Sequence, residues 1–174
     1  MDIQNRVSRY LMLVSSAIQK TIMKDIDNIV DVLSEADKIY TIGNGGSAAT
    51  ALHFALDLHK AAGKNAMCLA SNIPLLTAYA NDDGYESIFA SQLKNAGRKD
   101  ALVAFSCSGN SLNVVRAIRF AKELKMTTIG FTGDVGGILA DEVDYVIKVP
   151  YGDIKIQEDV HLAFSHAITG YLEK

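Results

Sequence analysis

The chain has 174 residues, 49% of them apolar, with a formal net charge of −3. That length suits one domain with one substantial core, residues 1–174, of which 1–36 read as an N-terminal helical segment. No apolar stretch approaches the roughly 18 residues of a membrane span, and the acidic balance argues against a general nucleic-acid binder, which carries a basic face.

A small anion is not excluded, because a few local donors hold it whatever the overall charge. Cys68 and Cys107 are isolated and fit neither a disulfide framework nor a CxxC metal site. The opening MDIQNRVSRY lacks a positive run feeding an apolar block, which favours the cytoplasm.

From Ile3 to about Leu33, apolar residues recur every three or four positions, as Ile3, Val7, Leu11, Val14, Ile18, Ile22, Ile26, Ile29 and Leu33. That spacing predicts helix, with a break at Lys24-Asp25. The stripe is long for so small a domain, so part of it is expected to pack against another subunit.

The remainder alternates. Strands are predicted at Lys38–Gly43, Asn65–Ala70, Ala101–Ser106, Thr127–Thr132 and Val143–Val149. Helices are predicted at Ser47–Ala62, Leu75–Ala80, Tyr85–Ala96, Ser111–Leu124, Gly137–Asp141 and Gln157–Leu172. Strand–helix alternation implies an α/β fold, a three-layer sandwich around five parallel strands in flavodoxin-like order. Ligands of such sheets sit at the carboxyl ends of the strands, near the switch point.

Three loops follow predicted strands. Gly43-Asn44-Gly45-Gly46-Ser47 lets backbone approach a ligand, and Ser47 is expected to cap the next helix. Its spacing is not that of a GxGxxG dinucleotide turn. A glycine run alone is as often a tight turn. Ser106-Cys107-Ser108-Gly109-Asn110-Ser111 gathers three hydroxyls at a helix start, donors that suit a phosphate. A serine-rich loop alone is usually a capped helix start, but two such loops after neighbouring parallel strands outline one crevice. The third, Thr132–Gly137, is uninformative by itself.

All four histidines fall in two helices. His53 and Asp57 are four apart and share a face. Such a pair can bind a metal, although on a helix it is more often a surface or structural hydrogen bond. His161 and His166 are five apart and point about 140° from one another, so one of them is expected to serve packing. His59 reads as a surface residue at a helix end.

The segments GNGGSAATALHFALDL, LTAYANDDGYESIF, AFSCSGNSLNVVRA, IGFTGDVGG and QEDVHLAFSHAI resemble, in order, the motifs of the sedoheptulose 7-phosphate isomerase (phosphoheptose isomerase) family of SIS domains. The resemblance runs from about Tyr40 to the C-terminus. It implies an aldose–ketose isomerase converting sedoheptulose 7-phosphate into D-glycero-D-manno-heptose 7-phosphate through an enediol, towards lipopolysaccharide or capsule heptose. It also implies a homotetramer with sites between subunits.

By that resemblance the phosphate loop is Ser106, Cys107, Ser108 and Ser111, and the sugar meets Asn44, Gly45, Gly46, Ser47 and Asp82. Asp57 and His166 are the implied catalytic pair. The implied zinc ligands are His53, Asp57, His166 and a residue at the family's glutamine position, which also contacts substrate. Counting back from His166 puts Glu158 there, and matching the letters IQE picks Gln157; helix spacing favours Glu158.

The sequence departs from the family in several places. Asp57 stands for a glutamate, Cys107 stands for a threonine, and the stretch from Asp57 to Ala70 is short and lacks an arginine-bearing TGRY-like segment. These changes leave two alternatives open: an isomerase of another sugar phosphate, or a non-catalytic SIS protein that senses sugar phosphates or binds the replication initiator. The persistence of His53, Asp57 and His166 disfavours the second.

Overall fold

The computed structural model describes residues 2–173. In chain order the elements are α1 (Ile3–Lys20), α2 (Ile26–Glu35), β1 (Ile39–Gly43), α3 (Gly45–Lys60), β2 (Ala66–Cys68), α4 (Ile73–Asp83), β3 (Ala101–Ser106), α5 (Leu112–Glu123), β4 (Thr127–Thr132), α6 (Gly137–Glu142), β5 (Tyr145–Lys148) and α7 (Ile154–Leu172). All four strand pairings are parallel and the sheet order is β2-β1-β3-β4-β5. The expected flavodoxin-like arrangement is therefore present.

Every residue of β1 and β3 is buried, as it must be where helices cover both faces. Alternation along β3 sends Val103 and Phe105 towards α3 and α7, while Leu102 and Ala104 meet the α5 side. Phe54, Phe105 and Phe131 fill the first of these layers.

The break between the first two helices spans residues 21–25 and so includes the expected Lys24-Asp25; it opens at Thr21. There the backbone turns extended and the Thr21 hydroxyl bonds back to the Ala17 carbonyl, 2.9 Å. Ile22 then forms a short antiparallel bridge with Lys148 beside β5.

The helix expected over Tyr85–Ala96 is instead two 3₁₀ turns, Tyr85–Ser87 and Ala90–Leu93. Gly84, with φ 87°, interrupts the chain after α4. The Gln92 side chain takes the Leu69 and Ile88 carbonyls at 3.0 and 2.7 Å, so tight turns bury Ile88, Phe89 and Leu93 against α5 without a continuous helix.

Helix α7 begins one turn earlier than expected. Asp153 caps it by accepting the Lys155 N–H at 2.9 Å. No helix among the described residues is long and apolar enough to cross a membrane.

Candidate active site

Strands β1 and β3 are adjacent, so the loops after them open side by side at the carboxyl edge of the sheet. Helix α3 starts at Gly45 with Asn44 at its N-cap, and Ser47 lies inside the helix. The expectation that Ser47 caps α3 is thus corrected. Asn44 does not cap with its side chain either, because that side chain is engaged across the crevice. Its Nδ2 donates to Asn113 Oδ1 and its Oδ1 accepts from Asn113 Nδ2, both at 2.8 Å. Tyr85 Oη adds a third bond to Asn44 Oδ1 at 3.0 Å.

Asn113 and Tyr85 therefore belong to the walls of this site, and the sequence reading missed both. Asn113 sits in the first turn of α5, two residues beyond the serine loop, where nothing in the letters distinguishes it from ordinary helix.

Gly43 permits the turn into α3. A Cβ there would stand 2.5 Å from the Ser47 carbonyl oxygen. Gly46 leaves room for Glu158, whose carboxylate would lie 2.3 Å from a Cβ at that position.

The loop 106–111 is shaped by its own bonds. The Gly109 N–H donates to the Ser106 carbonyl (3.0 Å), the Ser106 hydroxyl to Ser111 Oγ (3.4 Å) and the Asn110 N–H to Ser108 Oγ (3.2 Å). Ser111 is the N-cap residue of α5 and makes no side-chain cap bond, which leaves its hydroxyl and the Leu112 and Asn113 N–H groups as candidate donors. Ser108 is exposed and Ser106 buried. Cys107 Sγ lies 3.9 Å from Ser47 Oγ and links the two loops. Burial pushes the Cys107 thiol up, and the Glu158 charge adds to that, so it stays protonated near neutrality.

The residues expected to serve as acid and base lie further along α3, where it packs on α7. His53 Nε2 is 3.5 Å from Asp57 Oδ2, His166 Nε2 is 3.7 Å from the same oxygen, and the two Nε2 atoms are 3.4 Å apart. The Asp57 side chain is 25% exposed and the two histidines about half exposed. His161 is the packing histidine. It is fully buried, and burial pulls its pKa down to about 4. His59 is exposed at the end of α3.

Two expected site residues stand apart. Asp82 is exposed near the end of α4, where its carboxylate accepts from Asn81 at 2.9 Å and bonds to neither loop. Glu158 does not join His53, Asp57 and His166. It is eight residues before His166, about 12 Å along α7, and its carboxylate rests over Gly46 at the start of α3. Its pKa is raised, first by burial and then by neighbouring Asp159, against the lowering effect of the Ser47 N–H. Gln157, the other reading of that position, is buried, with its amide against Gly133. Beside Glu158, Asp159 accepts the Tyr10 hydroxyl at 2.5 Å, which pushes the phenol up to about 12 and ties α1 to the start of α7.

The His53–Asp57–His166 group fits a zinc ion. Two imidazole nitrogens and a carboxylate oxygen are zinc ligands, and bonds of about 2.0–2.1 Å to a tetrahedral ion put ligand atoms about 3.3–3.4 Å apart. The three atoms stand close to that spacing already.

Comparison with known proteins identifies the family. The SIS domain family matches residues 4–133. The phosphoheptose isomerase of Burkholderia pseudomallei (strain 1710b) is 37% identical over 169 residues, covering 93% of this chain and 85% of the relative. That of Mycobacterium tuberculosis (strain ATCC 25177 / H37Ra) is 39% identical over 153 residues, covering 84% and 78%. The solved phosphoheptose isomerase from Neisseria gonorrhoeae superposes with a TM-score of 0.90 at 30% identity, covering 98% of each chain. This chain belongs to the phosphoheptose isomerase family of SIS domain proteins.

Proposed function

We propose that this protein is a phosphoheptose isomerase that interconverts sedoheptulose 7-phosphate and D-glycero-D-manno-heptose 7-phosphate. The observation that carries this reading is the convergence of His53, Asp57 and His166 in a family member whose phosphate-type loop keeps Ser106, Ser108 and Ser111. The alternative of a sugar-phosphate sensor or initiator-binding protein needs no such triangle.

In the ketose-to-aldose direction a base takes a proton from C1, giving an enediol between C1 and C2. A proton is then returned to C2 while the carbonyl moves to C1. Asp57 is the base: Oδ2 faces the two imidazoles, and its other oxygen is left for the carbon-bound proton. His166 exchanges protons with the sugar oxygens. Ser106, Ser108 and Ser111 hold the phosphate with the N–H groups of α5, while Asn44, Gly45, Gly46, Ser47 and Glu158 border the hydroxyl-bearing chain. His53, Asp57 and His166 would hold a zinc ion, which would supply Lewis-acid stabilisation of negative charge.

The working form is a homotetramer with sites completed between subunits. Ile3, Val7 and Leu11 of α1 are 80%, 53% and 61% exposed, an apolar helix face left uncovered by the described residues. Leu52, Leu56 and Met67 are likewise exposed beside His53, so the acid–base group lies open on a surface suited to burial by another copy. Cytoplasmic placement follows from the reading, since sugar phosphates are cytoplasmic metabolites.

The test is incubation of purified protein with a panel of ketose and aldose phosphates, with and without zinc, followed by NMR. Conversion of sedoheptulose 7-phosphate is expected. Binding of sugar phosphates without conversion of any would transfer support to the sensor reading.

A further inference from the structure

The loop 133–137 has no part in the chemistry above, and neither do two polar side chains on the buried face of α7. Gln157 is 3% exposed and His161 0%. Each reaches the carboxyl end of β4. His161 Nε2 lies 3.1 Å from the Thr132 carbonyl and so carries the proton, with its ring edge against Phe131 and tilted on Phe105. Gln157 Nε2 donates to Asp134 Oδ1 at 3.4 Å and to the Tyr151 carbonyl. Its amide lies flat on Gly133, where a Cβ would stand 2.3 Å from Oε1.

The loop gripped in this way, and the start of α6 that follows it, are in turn bonded to the serine loop. The Gly133 N–H donates to the Cys107 carbonyl (3.0 Å), the Leu139 N–H to the Gly109 carbonyl (2.9 Å) and the Ile138 N–H to Asn110 Oδ1 (3.1 Å). Contact is close enough that a Cβ on Gly109 would meet the Gly136 oxygen at 1.8 Å.

These polar groups are a poor choice for filling space. Gln157 Oε1 and His161 Nδ1 are buried acceptors with no hydrogen-bond partner among the described residues, a state that costs stability. Apolar side chains of similar volume would avoid that cost. Their gain lies in the N–H groups, which fix loop backbone at defined points.

We propose that Gln157 and His161 are positioning residues for the phosphate loop: they lock residues 132–137, and that segment holds residues 106–111 in the shape that receives the substrate's phosphate. This rests on the assignment of phosphate to the 106–111 loop.

The test uses the purified full-length chain, with turnover of sedoheptulose 7-phosphate and calorimetric binding of inorganic phosphate as separate readouts. Gln157→Met and His161→Phe keep volume and remove the donors. Each is expected to raise KM and the phosphate Kd about tenfold, as for loss of one well-placed bond to a charged group. kcat should change less than about threefold. His161→Gln, which returns an N–H at similar reach, should recover most of the affinity. If His161→Phe fails to fold, Gln157→Met and His161→Gln carry the same comparison. Unaltered KM and phosphate Kd in the folded variants, with only the melting temperature moved, overturns the proposal. Ser108→Ala separates the two levels of the argument. If it leaves phosphate binding unchanged, the loop is not the phosphate site and both readings fall. If it weakens binding while the α7 variants do not, only the positioning role is lost.

Discussion

His53 on α3 and His166 on α7 face one another with their Nε2 atoms 3.4 Å apart, and Asp57 Oδ2 lies within 3.7 Å of both. Two ring nitrogens and a carboxylate oxygen aimed at one point form a place where a proton can be passed or a cation held.

The catalytic assignment predicts that Asp57→Asn and His166→Gln each lower kcat by roughly 10²–10⁴-fold, the usual worth of a positioned acid or base. Folding by circular dichroism and binding of inorganic phosphate should stay intact, because neither residue touches the 106–111 loop. Asp57→Glu keeps the carboxylate with a longer reach and should retain turnover. Wild-type rates in both neutral variants, followed by NMR, would rule out this pair.

Zinc binding has a readout apart from activity. A ligand that binds only the folded state raises stability by an amount that grows with its concentration. Added zinc should therefore raise the melting temperature of the wild type, and a chelator should reverse the rise. His53→Ala removes one of three ligands and should abolish the shift. An equal shift in both proteins would place the ion elsewhere.

The assignment of phosphate to residues 106–111 predicts that Ser108→Ala weakens sugar-phosphate binding by about 1–3 kcal/mol, the cost of a lost bond to a charged group. Cys107→Thr adds a hydroxyl donor in that loop and should tighten binding. Calorimetry on the two variants measures both effects.

Stability should fall with acidification through a window set by His161. Burial lowers its pKa in the fold to about 4, from an ordinary 6.5. Between those values the unfolded chain binds the extra proton, so stability rises with pH there. The His161 contribution is full above about pH 6.5 and is lost as pH drops towards 4, a change on the order of 3 kcal/mol. Urea unfolding at several pH values should show that slope in the wild type and a shallower one in His161→Phe.

The exposed α1 face predicts the assembly. Val7→Glu with Leu11→Glu should give a folded but smaller species by light scattering, with loss of turnover if sites are shared between subunits. A wild-type chain that is already monomeric would defeat this.

Much of this was legible from the letters. Strands β3 and β4 lie where their apolar runs predict, since a strand covered on both faces needs an unbroken apolar run and ends at its glycine or serine loop. The sharing of one face by His53 and Asp57 follows from helical spacing alone. The segment after Gly84 was less legible, because its apolar residues suit either a helix or tight turns, and the choice fell to Gln92 and the surface of α5.

By itself, then, the sequence determined the parallel sheet, the two loops at its carboxyl edge and the His53–Asp57 pair, because these depend on local periodicity and on residues adjacent in the chain. Helical spacing left open which histidine of α7 completes the pair; the family resemblance named His166, and the tertiary structure supplies the physical reason. His161 and His166 lie on one helix, and the packing of that helix buries the first against Phe105 and Phe131 while turning the second to α3. The tertiary structure likewise set Glu158 over Gly46 and joined Asn44 to Asn113 across 69 positions. Such contacts are formed between elements distant in the chain, so no spacing within either segment encodes them.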